Sequence, residues 1–142
     1  MDNIPLYFFN KGENARANEY LGAHFNSNGT VTFRVWAPHA AAVSVVGDFN
    51  DWQTNADPML PVDGSEIWET TVKNANIFDA YKFCIKTRSG REIMKCAPYA
   101  FHAETRPANA SKLYELSGYE WIDGEWMENR KKQSVYKSPI NI

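Results

Sequence analysis

Phe33–Trp52, FRVWAPHAAAVSVVGDFNDW, is the stretch that decides the fold. Val31, Phe33 and Val35 alternate with Thr32, Arg34 and Trp36, the period of two expected of a strand with one face in a core. Pro38 ends that strand, Val43–Val46 makes the next, and Gly47 opens a polar loop that closes on Trp52. A tryptophan held among Asp48, Asn50 and Asp51 suits a sugar ring. Its indole face meets the apolar C–H face of the sugar, and amide and carboxylate groups beside it reach the hydroxyls. The competing role for Trp52 is to fold back and plug the end of the sheet. The residues alone favour neither.

The same pattern continues outward. Met59–Val62 reads as a short strand, Asp63–Gly64 as a turn and Ile67–Val72 as a further strand. Ala80–Thr87 alternates again, with Tyr81, Phe83 and Ile85 on one face and Lys82, Cys84 and Lys86 on the other. Arg88–Gly90 is a turn signal, Glu92–Cys96 returns, Pro98 ends that return, and Lys112–Leu116 is the last candidate strand. About seven short strands separated by Gly, Pro, Asn and Asp turns predict an all-β protein, an antiparallel sandwich of immunoglobulin-like shape over residues 25–116.

Flanking segments differ in character. Residues 1–24 read as a helical lead-in, with Pro5 opening a short helix through Leu6, Phe8 and Phe9 and Gly12 stopping it. A second helical piece runs from Asn14 to Tyr20 and closes at Gly22. Residues 117–142 read as a linker with a short helix that Asp123 could cap, then Lys131, Lys132 and Lys137, then Pro139 before a β-like INI. Trp121 and Trp126 in this linker require a partner surface.

Bulk properties narrow the function. A chain of 142 residues with 44% hydrophobic and 14% aromatic residues suits one domain with a real core. A net charge of −2 and a pI of about 5.9 give no electrostatic case for nucleic acid or an anionic membrane. The start has no basic, apolar signal pattern, and no window approaches the ~20 apolar residues of a membrane helix. Cys84 and Cys96 are too few for a disulfide scaffold or a zinc site, which makes a reducing cytoplasm the default. No metal is expected, because His24, His39 and His102 each lack a second ligand at helical or hairpin spacing. No catalytic residue is expected either: there is no nucleophile elbow, no phosphate loop and no paired, half-buried carboxylates. No cofactor is called for. A neutral, polar ligand fits best, and Trp52 and Asn50 are the candidate contacts; outward-facing Lys82 is by default a solvated lysine and joins them only if the fold sets it near Trp52, which spacing does not show. A hairpin turn centred near Ser89 sets Cys84 opposite Met94 and gives Met94 the face of Lys82, adding a soft thioether.

Taken together, LGAH (Leu21–His24), FRVWAP (Phe33–Pro38), VSVVGDFNDW (Val43–Trp52), IWE (Ile67–Glu69), YKF (Tyr81–Phe83), APYAF (Ala97–Phe101), RP (Arg106–Pro107) and GYEW…EWM (Gly118–Met127) resemble the N-terminal module of bacterial 1,4-α-glucan (glycogen) branching enzymes, carbohydrate-binding module family 48. The resemblance runs in order through nearly the whole chain. It implies an immunoglobulin-like fold and binding of α-1,4-glucan or glycogen. It also implies packing on a catalytic (β/α)8 barrel that the SPINI-like tail would lead into and that is absent here. The parent enzyme is a retaining glycosyltransferase that moves an α-1,4 segment to form an α-1,6 branch, and this segment alone is expected to be inactive. The family's sugar-contacting tryptophan and lysine carry over to Trp52 and Lys82. A second tryptophan platform of strong binders falls near Met94 and is missing, and Ala97 stands where the family often has Asp. The remaining alternatives are a purely structural packing domain, or the same module from a debranching or trehalose-forming relative. The GYEW…EWM tail favours branching.

Overall fold

The computed structural model describes residues 4–134 and 136. In chain order, helix α1 (Ile4–Asn10) is followed by strands β1 (Gly22–Phe25), β2 (Val31–Trp36), β3 (Ala40–Gly47), β4 (Asp57–Pro58), β5 (Leu60–Pro61), β6 (Ile67–Val72), β7 (Ala80–Thr87), β8 (Glu92–Lys95), β9 (His102–Ala103) and β10 (Ser111–Lys112), then helix α2 (Gly124–Lys132). Every strand pair is antiparallel. The first sheet has the order β1-β2-β6-β5. The second has the order β4-β3-β7-β10-β9, with β8 also pairing with β7. The all-β expectation is met.

The alternation of the sequence sets the layers. Val31, Phe33 and Val35 of the first sheet and Val43, Val45, Tyr81 and Phe83 of the second point inward to one shared core. Phe33 packs on Tyr81 at 5.2 Å and on Phe49 at 5.5 Å. Burying such rings removes on the order of 25 cal/mol of unfavourable hydration per Å² of apolar surface, which makes this the main stabilising term.

The outer face of the first sheet is covered by the N-terminal segment. Ile67, fully buried, meets Leu6, Tyr20 and Leu21 there. Arg34 lies over the Tyr20 ring at 4.6 Å and pairs with Glu69. The N-terminal lead-in is helical only in part. Asn14 accepts from the Arg16 amide and donates to the Pro5 carbonyl, and this local bonding competes with a second helix. Only a 3-10 turn forms, at Ala17–Glu19, and Gly22–His24, expected to end the lead-in, instead begin β1.

Two strand expectations are also corrected. Met59–Val62 is not one strand. Pro58 and Pro61 cannot donate to a ladder and so sit on edge strands, β4 in one sheet and β5 in the other, while buried Met59 marks the crossing between them. The Lys112–Leu116 strand is only Ser111–Lys112. Beyond it the Leu113 backbone bonds to the loop residues Phe78 and Asp79. Strand β9 is too short to show any alternation. Asp123 does stand at the N-cap of α2, but its carbonyl, not its side chain, makes the bond there. The SPINI tail and Lys137 lie outside the described residues.

Tyr81 supplies a pH test of the core. Burial holds the proton on its phenol well above the ordinary tyrosine value; nearby Cys96 acts the same way and the Ser111 hydrogen bond opposes them. The unfolded chain ionises this group near pH 10 while the folded chain does not. Its contribution to stability is therefore complete below about pH 10 and is lost as pH rises beyond it. Urea unfolding across the alkaline range is expected to show this fall, and Tyr81→Phe is expected to flatten it; an equal slope in both proteins would contradict the assignment.

Candidate functional site

The outer face of the second sheet is organised differently. Strand β3 pairs with β7 so that Gly47 lies opposite Tyr81 and Val46 opposite Lys82. At Gly47 the chains approach so closely that a Cβ would meet the Ala80 carbonyl oxygen at 2.4 Å and the Phe49 ring at 2.7 Å. Glycine is the residue that fits there. The chain then makes a 3-10 turn, Asp48–Asn50, followed by two left-handed residues, Asp51 (φ 52°) and Trp52 (φ 60°). Each left-handed non-glycine residue costs roughly 1–2 kcal/mol, so the loop must be held by specific bonds.

Those bonds come chiefly from Asn50 and Asp48. Asn50 Oδ1 accepts from the Gly47 amide at 2.9 Å, and Asn50 Nδ2 donates to the Val45 carbonyl at 3.0 Å and to Asp57 Oδ2 at 2.7 Å. Asp48 Oδ1 accepts from the Trp52 indole Nε1 at 3.0 Å, and its Oδ2 accepts from the Ala80 amide at 2.8 Å. The Trp52 amide closes onto the Gly47 carbonyl at 3.0 Å. Ser44 Oγ donates to the Thr54 carbonyl at 2.6 Å, so the loop turns back over the outer face of β3. Trp52 is 38% exposed with its indole N–H tied down.

Lys82, opposite Val46, points outward, and its Nζ donates to Asn109 Oδ1 at 2.6 Å. Met94, 45% exposed, lies opposite Cys84 in the expected register and shares that face. An open groove lined by Cys96, Glu104, Arg106, Pro107 and Asn109 adjoins it. Cys84 is buried, and burial, then the nearby Glu92 charge, push its thiol up against an opposing Ser44 bond, so it stays protonated and unreactive at neutral pH.

The structure places Lys82 and Met94 on one face of the second sheet, and Trp52 lies exposed on the loop that leaves the neighbouring strand β3 at Gly47. Asn50 belongs to the same loop, but both its N–H groups are committed within the fold, which makes it a residue that shapes the loop. Sequence reasoning missed Asn109 and gave Asp48 no specific task. The Asn109 contact with Lys82 spans 27 positions, and the Asp48 contact with Ala80 spans 32. Neither contact has a local sequence signal. Among the described residues, no helix is long and apolar enough to cross a membrane.

The carbohydrate-binding module 48 profile (isoamylase N-terminal domain) matches residues 20–100. The chain is 43% identical over 140 residues to the 1,4-alpha-glucan branching enzyme GlgB of Lactiplantibacillus plantarum, covering 99% of this chain and 22% of that protein. It is 42% identical to the enzyme of the same name from Halothermothrix orenii, covering 99% of this chain and 24% of that one. The chain therefore spans less than a quarter of these relatives. Among solved structures, the apo pullulanase of Klebsiella pneumoniae superposes with a TM-score of 0.57 at 27% identity, over 73% of this chain and 12% of that one.

Asp48→Ala removes the bridge between Trp52 and β7. It is expected to cost about 1–3 kcal/mol in chemical denaturation, because the Ala80 amide loses its acceptor. The Trp52 indole proton should also exchange faster with solvent by NMR. An unchanged exchange rate would mean that Asp48 does not hold the ring.

Proposed function

The chain belongs to the carbohydrate-binding module 48 family, and we propose that it is the non-catalytic α-glucan-binding module of a 1,4-α-glucan branching enzyme. The observation that carries this reading is the Trp52 indole, exposed on a strained loop and fixed by Asp48; the loop leaves β3 at Gly47, one residue past the partner of Lys82, which is bonded to Asn109. A hexose stacks its C–H face on that ring, while the lysine ammonium and the asparagine amide hydrogen-bond its hydroxyls. Met94 adds a soft apolar contact at the edge. Asn50 serves by shaping the loop. The ligand is α-1,4-glucan or glycogen, neutral and polyhydroxylated, in keeping with a chain of net charge −2.

Branching itself, the transfer of an α-1,4 segment to form an α-1,6 linkage, would reside in the greater part of such an enzyme that this chain does not cover. Residues 25–116 act as the binding module, residues 1–24 as its lead-in and residues 117–142 as a linker toward a catalytic barrel. A second role, packing on that barrel, is favoured by Trp121 (77% exposed), Ile122 (95%) and Trp126 (60%). The two roles use different residues and are compatible. Free Cys84 and Cys96 suit a reducing cytoplasm.

Trp52→Ala tests the binding role. The side chain is partly exposed, so the change in stability should stay within about 1 kcal/mol. Calorimetric titration with maltoheptaose should show measurable affinity for the parent chain and none for the variant. Equal affinity in both proteins would remove Trp52 from the site.

A further inference from the structure

The register of the second sheet extends the outer face well past Lys82. Lys112 pairs with Ala80 on one side and His102 on the other, so these three residues share a face. Tyr81 and Leu113, the alternate positions, are buried in the core, and the shared face is therefore the outer one. Tyr114, two residues beyond Lys112, follows on the same side. Three exposed rings meet there: Phe78 and His102 at 5.7 Å, His102 and Tyr114 at 5.5 Å, and Phe78 and Tyr114 at 5.8 Å.

Phe78 is the telling residue. It has φ 70°, a left-handed conformation that a bulky side chain adopts only under constraint. Its amide is bonded to the Leu113 carbonyl at 2.8 Å, and Leu113 returns a bond to the Asp79 carbonyl at 3.0 Å. Yet the ring is 53% exposed, so core packing does not account for it. Glycine would serve the backbone better. Strain kept at an exposed aromatic points to a use for the ring. His102 Nδ1 donates to the Ala103 carbonyl at 2.9 Å. The Lys112 ammonium has no hydrogen bond or ion pair with a described residue, and it stands between the rings and Lys82.

From these observations we propose that Phe78, His102 and Tyr114 form a second platform for the same α-glucan chain, making the face selective for long over short oligosaccharides. The inference rests on the glucan-binding role given above. Continuity is what commits it to glucan: Ala80 connects the two ends, its amide bonded to the Asp48 that holds Trp52 and its position paired with Lys112. Three strand spacings of about 4.8 Å, roughly 14 Å in all, separate β3 from β9. A maltotriose on Trp52 would leave the far platform empty, and a longer chain would cover both.

The test uses the 142-residue chain, its Phe78→Gly and Tyr114→Ala variants, and titrations with maltotriose and maltoheptaose. The parent should prefer the longer sugar by roughly tenfold, the ratio that an added contact of about 1.4 kcal/mol produces. Both variants should lose most of that preference and keep their maltotriose affinity. Phe78→Gly should melt no lower than the parent, because it relieves the left-handed strain. In NMR, maltoheptaose should perturb His102 and Tyr114 and maltotriose should not. A long-chain preference that persists in both folded variants overturns the platform and leaves Trp52 binding intact. Absence of binding by either sugar to the parent overturns both.

Discussion

The Asp48 carboxylate connects the two parts of this molecule that matter most. One oxygen holds the Trp52 indole and the other holds the first amide of β7. A loop that leaves a strand through a glycine and then runs through two left-handed residues would otherwise sample many shapes. Here it is anchored to the neighbouring strand at the point where backbone contact is closest, Gly47 against Ala80. Asn50 closes the same loop from within. Trp52 is thereby presented as a fixed surface, so little ordering entropy is lost when a flat ligand settles on it.

The two sheets divide the work. The outer face of the first is covered by α1 and the turn after it, through Leu6, Tyr20 and Leu21 on Ile67. The outer face of the second is left open, apart from the loop folded back over β3. Its exposed side chains include aromatic and cationic groups, with the Met94 thioether among them, and a neutral polyol can use these kinds. The exposed tryptophans of the C-terminal segment form a separate surface, with Arg130 over the Trp126 ring at 5.4 Å and Tyr119 edge-on to Trp121 at 4.9 Å.

Much of this was legible in the sequence where a period of two could develop. Ile67–Val72 and Ala80–Thr87 were read to the residue, and the Cys84–Met94 register followed from the turn between β7 and β8. Two-residue strands were not legible, because alternation needs length. The start of β1 was hidden among residues that looked like the end of a helical segment. At the site, Trp52 and Lys82 stood out by type and setting. Asn109 did not, because its meaning depends on a contact made across the sheet. Phe78 carried no signal either, since left-handed φ at a phenylalanine cannot be inferred from its neighbours.

The most direct measurement is a map of backbone amide NMR shifts in the parent chain as maltoheptaose is added. Shifts confined to the outer face of the second sheet, strongest at Trp52, Lys82 and Asn109, are the predicted result. No shifts at millimolar sugar would contradict the account and identify the chain as a packing domain; shifts centred on Trp121 and Trp126 would contradict it by moving the sugar site to the C-terminal segment.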